Sequence, residues 1–192
     1  MNLNRKTTRL TMTGIFIGLI LLLGLTPIGL IPLGFINVTT LCIPVLVGTL
    51  VLGLKTGAVL GFAFGAVSTY KAFTATTTLV SYLMAKSPFL VVVMSVVPRL
   101  LVPVAAWLVY RLASGKSGNA ARAVPFAAAA GSLTNTVFYL GLMLLFYVIC
   151  GVDATPVLAL IGGTGLIAGS CEAAAAVIIC TPVVLALLKI KR

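Results

Sequence analysis

Three polar side chains stand where an apolar chain has little reason to keep them. Arg99 interrupts an otherwise apolar stretch, residues 88–110, bounded by Lys86 and Arg111. A guanidinium near the middle of a bilayer costs about 2.5–3.5 kcal/mol on insertion scales unless it faces a partner or a wet cavity. Asn135 lies inside a second apolar run, and Glu172, one of only two carboxylates in the chain, inside a third. At about 1.5 Å per helical residue, Arg99 sits roughly 16 Å from the outer end of its run and Asn135 roughly 20 Å from the inner end of its own. Glu172 is about 15 residues into the last run, so all three fall near the middle third of a hydrocarbon core about 30 Å thick.

An arginine, an amide and a carboxylate in one layer of a bundle can form a polar cavity. In that reading Arg99 takes a ligand carboxylate, by preference bidentate, and Asn135 offers both a donor and acceptors. Glu172 then balances charge or binds a hydroxyl or amide. Thr134 belongs to the run Ser132-Leu133-Thr134-Asn135-Thr136, which surrounds the amide with hydroxyls. Tyr70 and Lys71 extend the cavity outward, and Lys71 with Lys86 draws anions to its mouth. The competing reading is an internal Arg99–Glu172 salt bridge with Asn135 joining helices, and the residues alone leave both open.

Other chemistry is excluded or weakly signalled. The chain has no histidine, so no Ser/His, Cys/His or HExxH arrangement exists, and two distant acids are poor material for hydrolysis. Neither an enzyme, a metal site nor a cofactor is expected. Cys42, Cys150, Cys171 and Cys180 lie in or beside apolar runs without CxxC spacing and read as buried thiols. Gly115-Lys116-Ser117 imitates the end of a P-loop, but Tyr110 stands where the first glycine is required. Gly163 to Ala168 matches GxGxxA in an apolar run without a βαβ context. Asn37-Val38-Thr39 is a formal glycosylation sequon.

The elements that must position these side chains are membrane helices. The 192 residues are 61% hydrophobic and 8% charged, with a mean hydropathy of +1.25. A water-soluble domain carries roughly 25% charged residues. A single membrane domain, residues 1–192, is expected: an all-α six-helix bundle with spans at about 8–25, 41–52, 57–71, 87–112, 122–150 and 157–188. The basic start and apolar run 12–25 imitate a signal peptide, but no small-x-small cleavage site follows, so this segment is expected to remain as the first span. A chargeless Pro/Gly-broken segment, 26–40, and a Thr-rich loop, 73–85, join spans on one side. The second span is short, about 12 residues or roughly 18 Å.

The net charge of +11 does not indicate nucleic acid, because no basic face with interleaved aromatics exists. With the N-terminus inside, ten cations collect on the cytoplasmic side: Arg5, Lys6, Arg9, Lys55, Arg111, Lys116, Arg122, Lys189, Lys191 and Arg192. Only Lys71 and Lys86 fall outside. This asymmetry predicts a multi-pass cell-membrane protein with both termini cytoplasmic.

Gly53, Gly57, Gly61 and Gly65 recur every four residues, a spacing that lets helix backbones approach closely within the bundle. Gly14 and Gly18 repeat it in the first span, where docking of another membrane protein is an equal alternative. No internal repeat supports an inverted-repeat transporter.

Taken in order, these pieces resemble the substrate-binding S-components of energy-coupling-factor (ECF-type) vitamin transporters. The resemblance rests on the basic N-terminus, the six spans and Ile43-Pro44-Val45-Leu46-Val47-Gly48. It continues through the turn Leu52-Gly53-Leu54-Lys55-Thr56-Gly57, then Gly61-Phe62-Ala63-Phe64-Gly65, Ser87-Pro88-Phe89 and Val97-Pro98-Arg99. Pro98-Arg99 with Thr134-Asn135-Thr136 is most similar to the pantothenate-specific members. The last span departs from the family pattern, with Ala168-Gly169-Ser170-Cys171-Glu172 where an Asn-Gly pair is expected before the acid. The resemblance implies a subunit that binds vitamin from outside under its first and third loops. It also implies docking on a scaffold membrane subunit through Gly14 and Gly18, and toppling driven by two cytoplasmic ATPases. An S-component for another small vitamin, a stand-alone secondary transporter or channel for an organic anion, and an intramembrane enzyme or assembly factor are the alternatives.

Overall fold

Apolar runs punctuated by glycine and proline become helices here, because in lipid each backbone N–H and C=O must find its partner within the segment. The computed structural model describes residues 2–26, 30–32, 37–75, 77–115 and 119–190. Among these described residues eight α-helices follow in order: α1 (Asn2–Leu25), α2 (Cys42–Leu52), α3 (Leu54–Thr74), α4 (Thr78–Lys86), α5 (Pro88–Ser114), α6 (Ala120–Ile149), α7 (Thr155–Leu160) and α8 (Leu166–Ile190). A short antiparallel ribbon, β1 (Leu30–Pro32) with β2 (Asn37–Thr39), pairs Leu30 with Thr39 and Pro32 with Asn37. Among the described residues four helices are long and apolar enough to cross a membrane: Lys6–Leu25, Pro88–Ser114, Ala120–Ile149 and Leu166–Ile190. Of the cations expected at the inner end, Lys116, Lys191 and Arg192 lie outside the described residues, as do residues 27–29 and 33–36 of the Pro/Gly-broken first loop.

Helix α2 is short because it is central. Nine of its eleven residues are buried, from Cys42 to Val51, and a helix apolar on every face belongs inside a bundle rather than against solvent. Around it α3, α5, α6 and α8 supply Leu60, Phe64, Val102, Ala106, Val124, Ala127, Ala176, Cys180 and Val184 to one core. Helix α1 is peripheral: 11% of its apolar window is buried, against 39% for α5. It is fastened at its basic end by Arg9, whose Nη2 donates to the Leu52 carbonyl at 2.9 Å and whose Nε donates to Thr56 Oγ1 at 3.1 Å. That carbonyl closes α2 just before Gly53 turns the chain with φ +93°, so a cation sits at the negative end of the α2 dipole.

Glycine spacing shapes the α3 contacts. A Cβ at Gly57 would strike Thr49 and Pro103, and one at Gly65 would come within 3.1 Å of the Val96 Cα. Gly14 and Gly18 differ: nothing lies within 4 Å of where their Cβ atoms would be.

Two expectations are corrected. The Thr-rich loop 73–85 holds the last residues of α3 and a further helix, α4, which buries Val80 and Leu83. These join Val91, Met94, Met143, Phe146, Tyr147 and Val157 in a second core at this end of the bundle, and the Tyr147 hydroxyl donates to the Leu79 carbonyl. The last span is helical without a break over residues 155–190, as expected, but it is not regular α-helix throughout: α7 leads through a π-helical turn over Ile161–Gly165 into α8. Three glycines in those five residues disfavour regular α-helix. The GxGxxA match, Gly163 to Ala168, begins in this turn and ends in the first residues of α8, within one helical segment.

Candidate functional site

Helix α5 carries Arg99 between two prolines. Pro98 has no N–H, so the carbonyl of Met94, four residues back, loses its helical donor. The Arg99 side chain turns toward that gap and donates from Nη1 to the Met94 oxygen at 3.3 Å. Its Nε is fully enclosed and has no hydrogen-bond partner among the described residues. The guanidinium carbon lies 4.5 Å from the ring centroid of Tyr139 on α6 and 5.3 Å from that of Phe64 on α3.

Beside this group opens a cavity of about 250 Å³, lined by residues that include Phe64, Ser68, Lys71, Ser95, Arg99 and Tyr139. It lies where the two cores meet, with Leu41 from one and Val80 from the other in its wall. Phe64, Ser68 and Lys71 recur at helical spacing, so a single stripe of α3 forms one side, continued by Ala75 just past its end. Two cationic residues, Arg99 and Lys71, and three hydroxyl residues, Ser68, Thr77 and Ser95, thus line a small space that has no carboxylate among its described lining residues.

Of the residues expected at a site, Arg99 and Lys71 line this cavity and the others are distributed around it. Tyr70 is 57% exposed and turned away, because neighbouring residues on a helix point about 100° apart. Asn135 is buried one turn below Tyr139 on the same face of α6, with its Oδ1 unpartnered. Thr134 donates back to the Ala130 carbonyl at 2.7 Å within its own helix. Glu172 on α8 accepts a bond from Thr136 Oγ1 at 3.2 Å. Among the described residues no salt bridge links it to the Arg99 guanidinium. Gly169, one turn before the acid, lets Thr136 approach: a Cβ there would stand 3.1 Å from the threonine methyl.

Residues 8–184 match the family described as "ECF transporter, substrate-specific component". The chain belongs to this family. Over 120 residues it is 35% identical to the pantothenic acid transporter PanT of Lactococcus lactis subsp. cremoris (strain MG1363), a match covering 57% of each chain. The chain therefore matches little more than half the length of that curated relative.

In this S-component, all of the cavity wall, Leu41 to Tyr139, falls inside the family match. Sequence reasoning overlooked Phe64, Ser68, Ser95 and Tyr139. A signal existed: Phe64 and Ser68 stand seven and three residues before Lys71, and Tyr139 stands four residues after Asn135, all spacings that share a helix face.

Proposed function

We propose that this S-component captures pantothenate from outside the cell in the cavity beside Arg99 and serves as the substrate-binding subunit of an ATP-driven vitamin importer. The observation that carries this reading is the state of the guanidinium. It is held in the apolar interior with an enclosed, unpartnered Nε, next to a small cavity that contains a second cation and several hydroxyls. An arginine fork of this kind suits a carboxylate, and pantothenate combines a carboxylate with hydroxyls and an amide. The cavity is slightly below the usual range of ligand pockets, about 300–1,000 Å³, in keeping with a small vitamin. The relative named above is a pantothenic acid transporter.

In this reading α1, α2, α3, α5, α6 and the α7–α8 unit are the six spans, with both termini cytoplasmic. The first loop and α4 cover the vitamin. Asn135 and Glu172, beneath the cavity, meet its amide or hydroxyl end when it is bound. Gly14 and Gly18 offer a smooth strip of α1 to the scaffold membrane subunit, and two ATPase subunits drive the toppling that releases vitamin inside.

The test is titration calorimetry on the detergent-solubilised protein. Pantothenate is expected to bind at one site per chain, and Arg99→Ala to abolish binding while leaving the thermal unfolding midpoint within a few degrees. Normal pantothenate binding by Arg99→Ala overturns the site; no binding by the unaltered protein overturns the substrate.

A further inference from the structure

A buried arginine that awaits a ligand poses a problem of its own. Its charge needs stabilisation before the ligand arrives, yet a protein carboxylate placed on the guanidinium would occupy the donors the ligand needs. The contacts of Arg99 avoid this conflict. Two aromatic rings, Tyr139 at 4.5 Å and Phe64 at 5.3 Å, lie under the guanidinium carbon. The electron-rich face of a ring attracts a cation, more strongly when both are desolvated. Such a contact takes no N–H. Of the five donors of the guanidinium, one hydrogen bond is made among the described residues, to the Met94 carbonyl, and it is long at 3.3 Å. Nε, one arm of the bidentate fork, is left without a partner.

We infer that Tyr139, assisted by Phe64, is a positioning residue for Arg99: the rings hold the guanidinium charged and in place while themselves occupying none of its in-plane donors, which are kept for a carboxylate. This rests on the reading of the cavity as a carboxylate site and adds to it the origin of selectivity. Tyr139 therefore governs the preference for an anionic ligand over a neutral one of the same shape, and it does so through its ring rather than its hydroxyl. Phe64, with the more distant ring, contributes in the same sense and less.

The experiment compares two probes by calorimetry on the full-length protein: pantothenate, and pantothenol, in which a neutral alcohol replaces the carboxylate. The unaltered protein is expected to prefer pantothenate. Tyr139→Leu is expected to weaken pantothenate binding about tenfold or more, and pantothenol binding by less than about threefold, so the preference narrows. Tyr139→Phe keeps the ring and is expected to hold both affinities within about threefold. If Tyr139→Leu fails to fold, Tyr139→Met, similar in length and without a ring, carries the same expectation. A Tyr139→Leu or Tyr139→Met protein that retains the full preference, or loses both ligands equally, overturns the inference alone. An unaltered protein that binds neither probe, or both equally, overturns the carboxylate reading and this inference with it.

Discussion

The main-chain carbonyl of Arg99 rests against Gly61 of α3, so closely that a Cβ on the glycine would stand 2.6 Å from the oxygen. This carbonyl is available because Pro103, four residues later, has no N–H to offer it. The same loss occurs one turn earlier, where Pro98 frees the Met94 carbonyl that Arg99 Nη1 takes up. Helix α5 is thus depleted of ladder bonds on both sides of Arg99. The arginine side chain fills one gap, and the bare backbone of α3 at Gly61 approaches the other.

Gly61→Ala is expected to push α3 away from α5 and destabilise the bundle by about 1–3 kcal/mol. The lining stripe of α3 shifts with it, so ligand affinity falls too. Thermal unfolding in detergent checks the first effect. Gly14→Ala, which meets nothing within 4 Å, is the comparison and should leave the midpoint unchanged.

Arg99→Lys keeps the charge and loses the planar fork. An ammonium cannot bind a carboxylate bidentately or stack its plane on Tyr139. Pantothenate binding is expected to weaken about ten- to a hundredfold, at roughly 1.4 kcal/mol per decade, measured by calorimetry. Unchanged affinity would show that a point charge suffices and that the fork has no role.

Gly18→Leu should separate binding from transport. The glycine is exposed on α1 with empty space above it, so the fold and the pantothenate affinity should survive the larger side chain. Uptake in cells that express the whole importer should fall severely, because the bulge prevents close approach of a partner helix. Normal uptake would move the docking surface elsewhere.

Arg9→Gln removes the cation from the end of α2 and its bond to the Leu52 carbonyl. A loss of about 0.5–2 kcal/mol is expected, read as a lower unfolding midpoint. Arg9→Lys should recover part of it, since a charge near that carbonyl remains.

Asp153, in the turn before α7, accepts bonds at Oδ1 from the Thr155 hydroxyl at 2.7 Å and the Thr155 amide at 3.0 Å. These bonds favour the charged carboxylate and hold its pKa below the usual 3.8. A depressed acid contributes its stabilisation above its unfolded pKa and loses it as pH falls through the folded one. The order of this turn should therefore persist at neutral pH and be lost only below pH 3.8. Carboxyl carbon chemical shifts of Asp153 against pH would show this, and Thr155→Val should bring the midpoint back up.

Much of this molecule is legible without coordinates because the relevant physics is local. A chain with this apolar content and two acids cannot build a water-facing surface, so membrane helices follow from composition. Arg99 stands out because an intramembrane guanidinium demands a reason wherever the helices pack. The four-residue glycine interval marks close helix contact because residues four apart share a face, as Gly57 and Gly65 do against α5.

What needed the packed bundle was rotation and pairing. Depth along a helix is a count of residues at about 1.5 Å each, and it survives errors of one or two residues. Direction around the axis turns about 100° per residue and is settled by neighbouring helices. Hence Lys71 lines the cavity while Tyr70 faces away, and Asn135 lies below the chamber that Tyr139 walls. The ring partners of Arg99 come from α3 and α6: Phe64 and Tyr139 stand 35 and 40 residues from it in sequence. No spacing rule joins Phe64 and Tyr139 to one guanidinium; only the side-by-side packing of α3, α5 and α6 brings two ring faces to a charge that lipid would otherwise reject.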